Sequence, residues 1–267
     1  RRRSKYLTIR YLIFDVIVIV TIGNLEERKK VEEKLKSYKI DVVLEENILE
    51  KILDGDKVGM NRMVIADAHR ETAYYEQAEK TDALCTFWNK DSIFYQMFQT
   101  LDLNCVVELA CGHGRHVPLY AQKAAKVILV DILNENIEIC KNRFHGLYNH
   151  IMYYENNGQD LSKISDGTCT SLFTYDAMVH FELIDIFQYL KESYRILKPK
   201  GRALFHHSNN TSSYKVTYKT GEHRRNYMSK DIFAHLADRS GFTVIQQEVI
   251  DWGRKGNALD CVTLLEK

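Results

Sequence analysis

The chain is 267 residues long, 45% hydrophobic and 27% charged, an ordinary globular composition that excludes disorder and collagen-like repeats. Lys and Arg number 37 against 36 Asp and Glu, a net charge of +1. No global positive field is therefore available for a polyanionic duplex, which excludes nucleic acid as the main partner.

The N-terminus begins on Arg1 rather than Met, as a trimmed or processed chain would. Arg1 to Lys5 and the apolar Tyr11 to Ile22 imitate the basic and hydrophobic parts of a signal peptide. Arg10 and Asp15 interrupt the stretch, it falls short of the roughly 20 apolar residues a span needs, and no small-x-small site follows. A buried strand over Asp15 to Ile22 is expected, and no membrane span. A charged amphipathic helix over Leu25 to Tyr38 and a second strand over Ile40 to Leu44 make residues 1–60 a small βαβ-like appendage, read as a packing or oligomerisation element or the remnant of a larger domain. Its turn holds only Gly23, so no nucleotide site is assigned to it. Asp54-Gly55-Asp56 and Gly59 mark the boundary to a second domain over residues 61–267.

Helical periodicity returns over Arg62 to Lys80 and Asp91 to Leu101; Tyr74, Tyr75, Phe87 and Trp88 read as packed on a sheet in preference to forming a lid. From Cys105 onward apolar strands alternate with helices. Strands are expected over Cys105–Leu109, Val127–Val130, Ile151–Tyr154, Ser171–Tyr175, Arg202–His206, Thr243–Val249 and Leu259–Leu265. Helices are expected near His116–Ala125, Asn134–His145, Glu182–Leu197 and Ser229–Ser240, the last capped by Ser229. The fold class is α/β, a seven-stranded sheet with helices on both faces. The six cysteines are scattered without a C-x-x-C pair or zinc-spaced cluster and read as free thiols in a reducing cytoplasm.

Val106-Val107-Glu108-Leu109-Ala110-Cys111-Gly112-His113-Gly114 is a buried strand ending in an acidic residue and a small-residue turn that opens a helix, where backbone can approach a nucleotide-like ligand. The next strand ends in Asp131, placed to accept hydrogen bonds from both hydroxyls of a ribose. Asn157-Gly158-Gln159-Asp160-Leu161, Phe173 to Glu182 and Leu197-Lys198-Pro199-Lys200-Gly201 follow at the next strand ends.

These stretches resemble the class I S-adenosylmethionine (SAM)-dependent methyltransferases over roughly residues 80–267, with Ala110 where that family's D/E-x-G-x-G-x-G loop has its first glycine. The resemblance implies a Rossmann-like methyltransferase sheet, with SAM as cofactor and S-adenosylhomocysteine (SAH) as product. It implies that Glu108 orients the methionine amino end, Gly112 and Gly114 line its backbone, Asp131 holds the ribose, and Gln159 or Asp160 reads the adenine. Ala110, Ile132 and Tyr175 complete the implied cofactor set.

Absent motifs narrow the acceptor. Tyr175-Asp176-Ala177-Met178 replaces the D/N-P-P-Y/F of base amino-methylation, and neither proline adjoins a cysteine nucleophile. A hydroxyl or amine of a small molecule or glycan remains. A hydroxyl benefits from a base, for which His180 is the first candidate and His206 the second. Asp176, His207, Asn209 and Arg225 are candidate substrate-binding groups, from the Phe205-His206-His207-Ser208-Asn209 and Arg225-Asn226-Tyr227-Met228-Ser229 stretches. These stretches look like bacterial sugar and surface-polysaccharide O-methyltransferases, which implies a sugar hydroxyl as acceptor. A divalent cation such as Mg²⁺, held by Asp176, His206 and His207, is left open, as is homo-oligomerisation. The rivals are a small-molecule N-methyltransferase and a non-catalytic protein that keeps the fold for binding.

Overall fold

The computed structural model describes residues 18–19, 42–43, 57–70, 74–80 and 87–267. The chain divides into two compact units, Arg1–Met60 and Asn61–Lys267. In the first, β1 (Val18–Ile19) and β2 (Val42–Val43) pair in parallel, Val18 opposite Val42. The expected connecting helix over Leu25 to Tyr38 lies outside the described residues.

Among the described residues three helices precede the main sheet: α1 (Lys57–Arg70), α2 (Tyr74–Ala78) and α3 (Ile93–Phe98). The sheet strands and helices then alternate as β3 (Val106–Leu109), α4 (Val117–Tyr120), β4 (Val127–Asp131), α5 (Asn134–Phe144), β5 (Ile151–Glu155) and β6 (Cys169–Thr174). After them come α6 (Leu183–Ile196), β7 (Leu197–Ser208), α7 (Lys230–Arg239), β8 (Thr243–Ile250) and β9 (Asp260–Glu266). All seven strands expected from the sequence are present. The order across the sheet is β5-β4-β3-β6-β7-β9-β8. The strands from β5 to β7 pair in parallel, and β9 runs antiparallel to both of its neighbours.

Side chains alternate across a strand, so the central strands feed two cores. Val107, Ile128, Val130, Ala203 and Phe205 face one layer with Ile186, Leu190, Phe233 and Ala237 of α6 and α7. Val106, Val127, Leu129 and Leu204 face the other with Phe94, Phe98, Tyr120, Ile137 and Phe144 of α3, α4 and α5. Central strands buried on both faces read as continuous apolar runs, which is why they were legible as strands. Ser229 caps α7 by accepting the Ile232 N–H at 3.0 Å, as its position before a periodic run suggested.

The five cysteines among the described residues are free thiols. No helix among the described residues is long and apolar enough to cross a membrane.

Candidate functional site

The carboxyl ends of β3, β4 and β6 open into a cavity walled by Ala110, Gly112, Asp131, Ile132, Tyr175, Asp176 and His180, with Arg62, His69, Tyr74 and Tyr75 from α1 and α2 on the other side. Ala110 turns the chain at φ +57° and Gly112 at φ +54°. Ala110 therefore departs from the family pattern through backbone conformation rather than size, since a β-carbon in the left-handed region costs about 1–2 kcal/mol.

Asp131 is buried, and its carboxylate closes the loop: Oδ2 accepts the Gly112 N–H at 2.9 Å, and Oδ1 accepts Leu133 N–H and Asn136 Nδ2, each at 3.0 Å. A carboxylate offers about four acceptor sites. Three are taken, so Asp131 retains capacity for one further donor rather than the two expected of it. Burial raises its pKa, against the opposing effect of those three bonds. Over this loop Tyr75 stacks on His113 with ring centroids 3.9 Å apart, and its hydroxyl accepts from Asn136 Nδ2 at 3.0 Å.

Glu108 does not reach the cavity. It is 2% exposed, accepts the Tyr120 hydroxyl at 2.7 Å, and burial pushes its pKa up to about 8. Gly114 lies behind the loop, where a β-carbon would meet Phe144 at 2.6 Å, so its role is close packing on α5. Gln159 and Asp160 also stay out of the cavity. Gln159 Oε1 accepts from Arg62 Nη2 at 3.0 Å, and Asp160 Oδ1 accepts Ser162 N–H and Oγ–H. Asn156 and Gly158 of the same segment line the cavity instead.

At the other end of the cavity Asp176 sits at φ +52°, unusual for a residue with a side chain. Its Oδ2 accepts the Tyr74 hydroxyl at 2.6 Å and Arg115 Nη2 at 3.2 Å. Burial pushes its pKa up, but the adjacent Arg115 guanidinium and Tyr74 hydroxyl outweigh it and hold the carboxyl below its ordinary value. Tyr74 and Tyr75 therefore wall the cavity, and the packed-core expectation for them is corrected. Phe87 and Trp88 do pack on the apolar layer around Phe94, while also walling a neighbouring cleft.

His180 lies on a single 3₁₀ turn, Met178–His180, after β6, and lines the cavity. Its Nδ1 donates to the Arg224 carbonyl at 2.9 Å. A carbonyl only accepts, so Nδ1 carries the ring proton and Nε2 the lone pair. Burial lowers its pKa to about 3, against the opposing effect of the Arg224 bond. Asn226 pins the turn by donating to the His180 carbonyl at 2.7 Å and, through its own N–H, to the Val179 carbonyl at 3.1 Å. His69 of α1 approaches with ring centroids 5.1 Å from His180.

His206 and His207 are separated by the pleat. Adjacent residues on a strand point to opposite faces, so the two rings cannot share one site. His206 accepts the Asp176 N–H on Nδ1 at 3.1 Å and donates Nε2–H to Asp260 at 3.0 Å; it positions Asp176 and does not line the cavity. His207 stacks on Phe233 at 3.7 Å and bonds Ser208 O and Thr263 Oγ1, which makes it a core residue, not a substrate group. Among the described residues no cluster of three or more His, Cys, Asp or Glu groups could hold a metal ion. The Asp176, His206 and His207 set, left open for a cation, is thus split by strand geometry.

Arg225 is 2% exposed and grips Asp260 with two bonds, Nε at 2.9 Å and Nη2 at 2.6 Å. Asn209 bonds Ala258 O and Lys230 N–H. Neither lines the cavity, though Arg225 Nη2 also lies 3.8 Å from Asp176 Oδ1.

Three kinds of comparison bear on this geometry. Residues 106–201 match a family described as "Methyltransferase domain". No curated protein matches the sequence. Among solved structures, a protein from Pyrococcus horikoshii OT3 aligns with a TM-score of 0.59 at 20% identity, over 75% of this chain and 98% of its own. A SAM-dependent methyltransferase from Mesorhizobium loti aligns at 0.53 and 12% identity, over 65% and 97%. The geranyl diphosphate C-methyltransferase of Streptomyces coelicolor A3(2), solved with Mg²⁺, geranyl diphosphate and SAH, aligns at 0.51 and 13%, over 64% and 78%. These likenesses establish the sheet and its helices as the class I fold.

Proposed function

On the premise that residues 106–201 are a class I, SAM-dependent methyltransferase domain, we propose that the chain methylates a hydroxyl of a sugar or glycan, with His180 as the base. The observation that carries this reading is the fixed tautomer of His180, whose proton is committed to Arg224 O while the ring lines the cavity.

The residues present fit the cofactor. Asp131 keeps one acceptor site for a ribose hydroxyl, and Ile132 and Leu133 offer apolar surface beside it. Gly112 brings backbone to the cavity at a φ that disfavours any side chain. The sulfonium group supplies an electrophilic methyl when bound.

What the chain itself contributes is position and proton management. Tyr74 and Arg115 hold Asp176 ionised beside the acceptor end of the cavity. His180 Nε2 takes the acceptor hydroxyl's proton as the new carbon–oxygen bond forms and returns it to solvent afterwards. A pKa of about 3 makes His180 a weak proton acceptor, suited to a proton removed late, when the oxygen already carries positive charge.

The test is His180→Gln, assayed by transfer of labelled methyl to a panel of glycosides, with SAH affinity measured alongside. Turnover is expected to fall by roughly 10²–10⁴-fold with SAH affinity unchanged. Full turnover in the variant would refute the assignment and favour an amine acceptor, which needs no base.

A further inference from the structure

A second cleft adjoins the cavity. Its walls include Phe87, Trp88, Ile93 and Trp252, and it shares Tyr74, Arg115, His116, Tyr175 and Asp176 with the cavity, so the two spaces meet at these side chains. Resting on the methyltransferase reading above, we propose that this second cleft seats the body of the acceptor while its reacting hydroxyl reaches past the shared residues into the cavity, and that it takes an uncharged molecule with a flat apolar face, a neutral glycoside, rather than a phosphorylated or nucleotide-linked sugar.

The aromatic walls are held in place before any ligand arrives. Trp88 donates its indole N–H to His116 Nδ1 at 3.0 Å. Trp252 stacks on Phe87 at 5.2 Å and lies under the Arg225 guanidinium at 4.3 Å. Phe87 in turn meets Tyr175 edge-on at 4.2 Å. Rigid rings present area at little entropic cost, and the C–H face of a pyranose matches them.

Charge decides between acceptors. Among the described residues lining the cleft the one Lys or Arg is Arg115, and it is already paired with Asp176 at 3.2 Å. Burial keeps the His116 imidazole uncharged. Asp251 adds a carboxylate at the mouth. Arg225, next to Trp252, is committed to Asp260. Among the described residues a diphosphate would therefore meet a net negative lining with no uncommitted cation, the reverse of a phosphate site.

A second observation points to a ligand. The Tyr175 hydroxyl is buried with no hydrogen-bond partner, and Tyr175 is 6% exposed while lining both spaces. Native proteins rarely leave such a group unsatisfied, and an acceptor hydroxyl arriving where the two spaces meet supplies the partner.

The chain's two tryptophans, Trp88 and Trp252, both line this cleft, so intrinsic fluorescence reports on it directly. The full chain, saturated with SAH, is titrated with methyl glycosides of common hexoses and deoxyhexoses and, separately, with UDP-glucose. Saturable quenching by at least one neutral glycoside is expected, with UDP-glucose at least tenfold weaker. Trp252→Ala should weaken the glycoside at least tenfold, read from Trp88, with SAH affinity by calorimetry unchanged. Gln77→Arg, at an exposed position on the rim, should strengthen UDP-glucose several-fold and leave SAH alone. UDP-glucose binding as tightly as the best glycoside, or no glycoside response in SAH-bound protein, overturns the inference. Failure of the wild-type chain to bind SAH would instead overturn the methyltransferase reading on which it rests.

Discussion

Replacing Arg225 with Met tests the buried charge network behind the site. Arg225 and Asp260 have side chains 3% and 0% exposed. Removing the guanidinium leaves the carboxylate with the His206 Nε2–H at 3.0 Å as its remaining side-chain donor. Breaking a buried pair by removing one partner costs about 3–5 kcal/mol, and the lost stack on Trp252 adds about 1 kcal/mol. With a urea slope of about 2–3 kcal/mol/M, the midpoint should fall by roughly 1.3–3 M. The pH dependence carries a second signature. In the wild type burial pushes the Asp260 carboxyl up, but Arg225 and His206 outweigh it and hold it well below its ordinary value. Its contribution is therefore complete above the unfolded carboxylate pKa of about 3.9 and fades only as pH falls below that. In Arg225→Met burial dominates, so the carboxyl's folded pKa rises and protonation in mild acid relieves the variant. The stability gap should narrow by about 1 kcal/mol per pH unit once pH drops below the raised value. Urea unfolding followed by circular dichroism at pH 7 and pH 5 measures both. A gap below about 1 kcal/mol at pH 7, or one that widens on acidification, would refute the reasoning.

Other outcomes follow from the same geometry. Gly112→Ala places a β-carbon 2.6 Å from Tyr75 Cε1 at φ +54°, and should cost about 2–3 kcal/mol by thermal unfolding. In a Tyr75→Ala background about 1 kcal/mol of that should remain, the part due to the left-handed backbone. Asp131→Ala should weaken SAH by roughly 10–100-fold in calorimetry, the loss of one charge-assisted bond; unchanged affinity would remove Asp131 from the cofactor site. Burial lowers the His207 pKa to about 3, with the Ser208 bond opposing. The unfolded chain then binds one more proton than the folded chain between about pH 6.5 and pH 3, so His207 costs stability as pH falls through that window. His207→Gln should lower by about one the protons taken up on unfolding at pH 5, read from the slope of stability against pH.

β3 and β4 were legible because each is a short apolar run buried on both faces, whereas the largely exposed edge strands β5 and β8 show only their β-branched and aromatic residues. Gly112, Asp131, Asp176 and His180 line the cavity, a placement that loops following the strand ends made legible. His206 and His207 read as a pair in sequence, but the pleat sends one toward Tyr175 and the other onto Phe233. Gln159 and Asp160 read as adenine contacts, whereas the turn presents Asn156 and Gly158. Arg62, His69 and Tyr74 carry no local signal, because their place is set by helices that cover the strand ends from far away in sequence. The charge of Arg115 is visible, but its partner Asp176 lies 61 residues on. Only the chirality and order of the βα units bring the two together.

The position of β9 between β7 and β8 sets an order of assembly. During synthesis from the N-terminal end, β7 emerges well before the strand that will cover its edge, and β8 has no sheet to join until β9 arrives. Until then Leu204 and Phe205 lie on an open margin, and Arg225 has no Asp260. Sealing the sheet is thus a late, long-range event, and loop-closure entropy makes such events slow. A nascent chain halted before Asp260 would hold five parallel strands with an adhesive edge, the form most exposed to pairing with another chain.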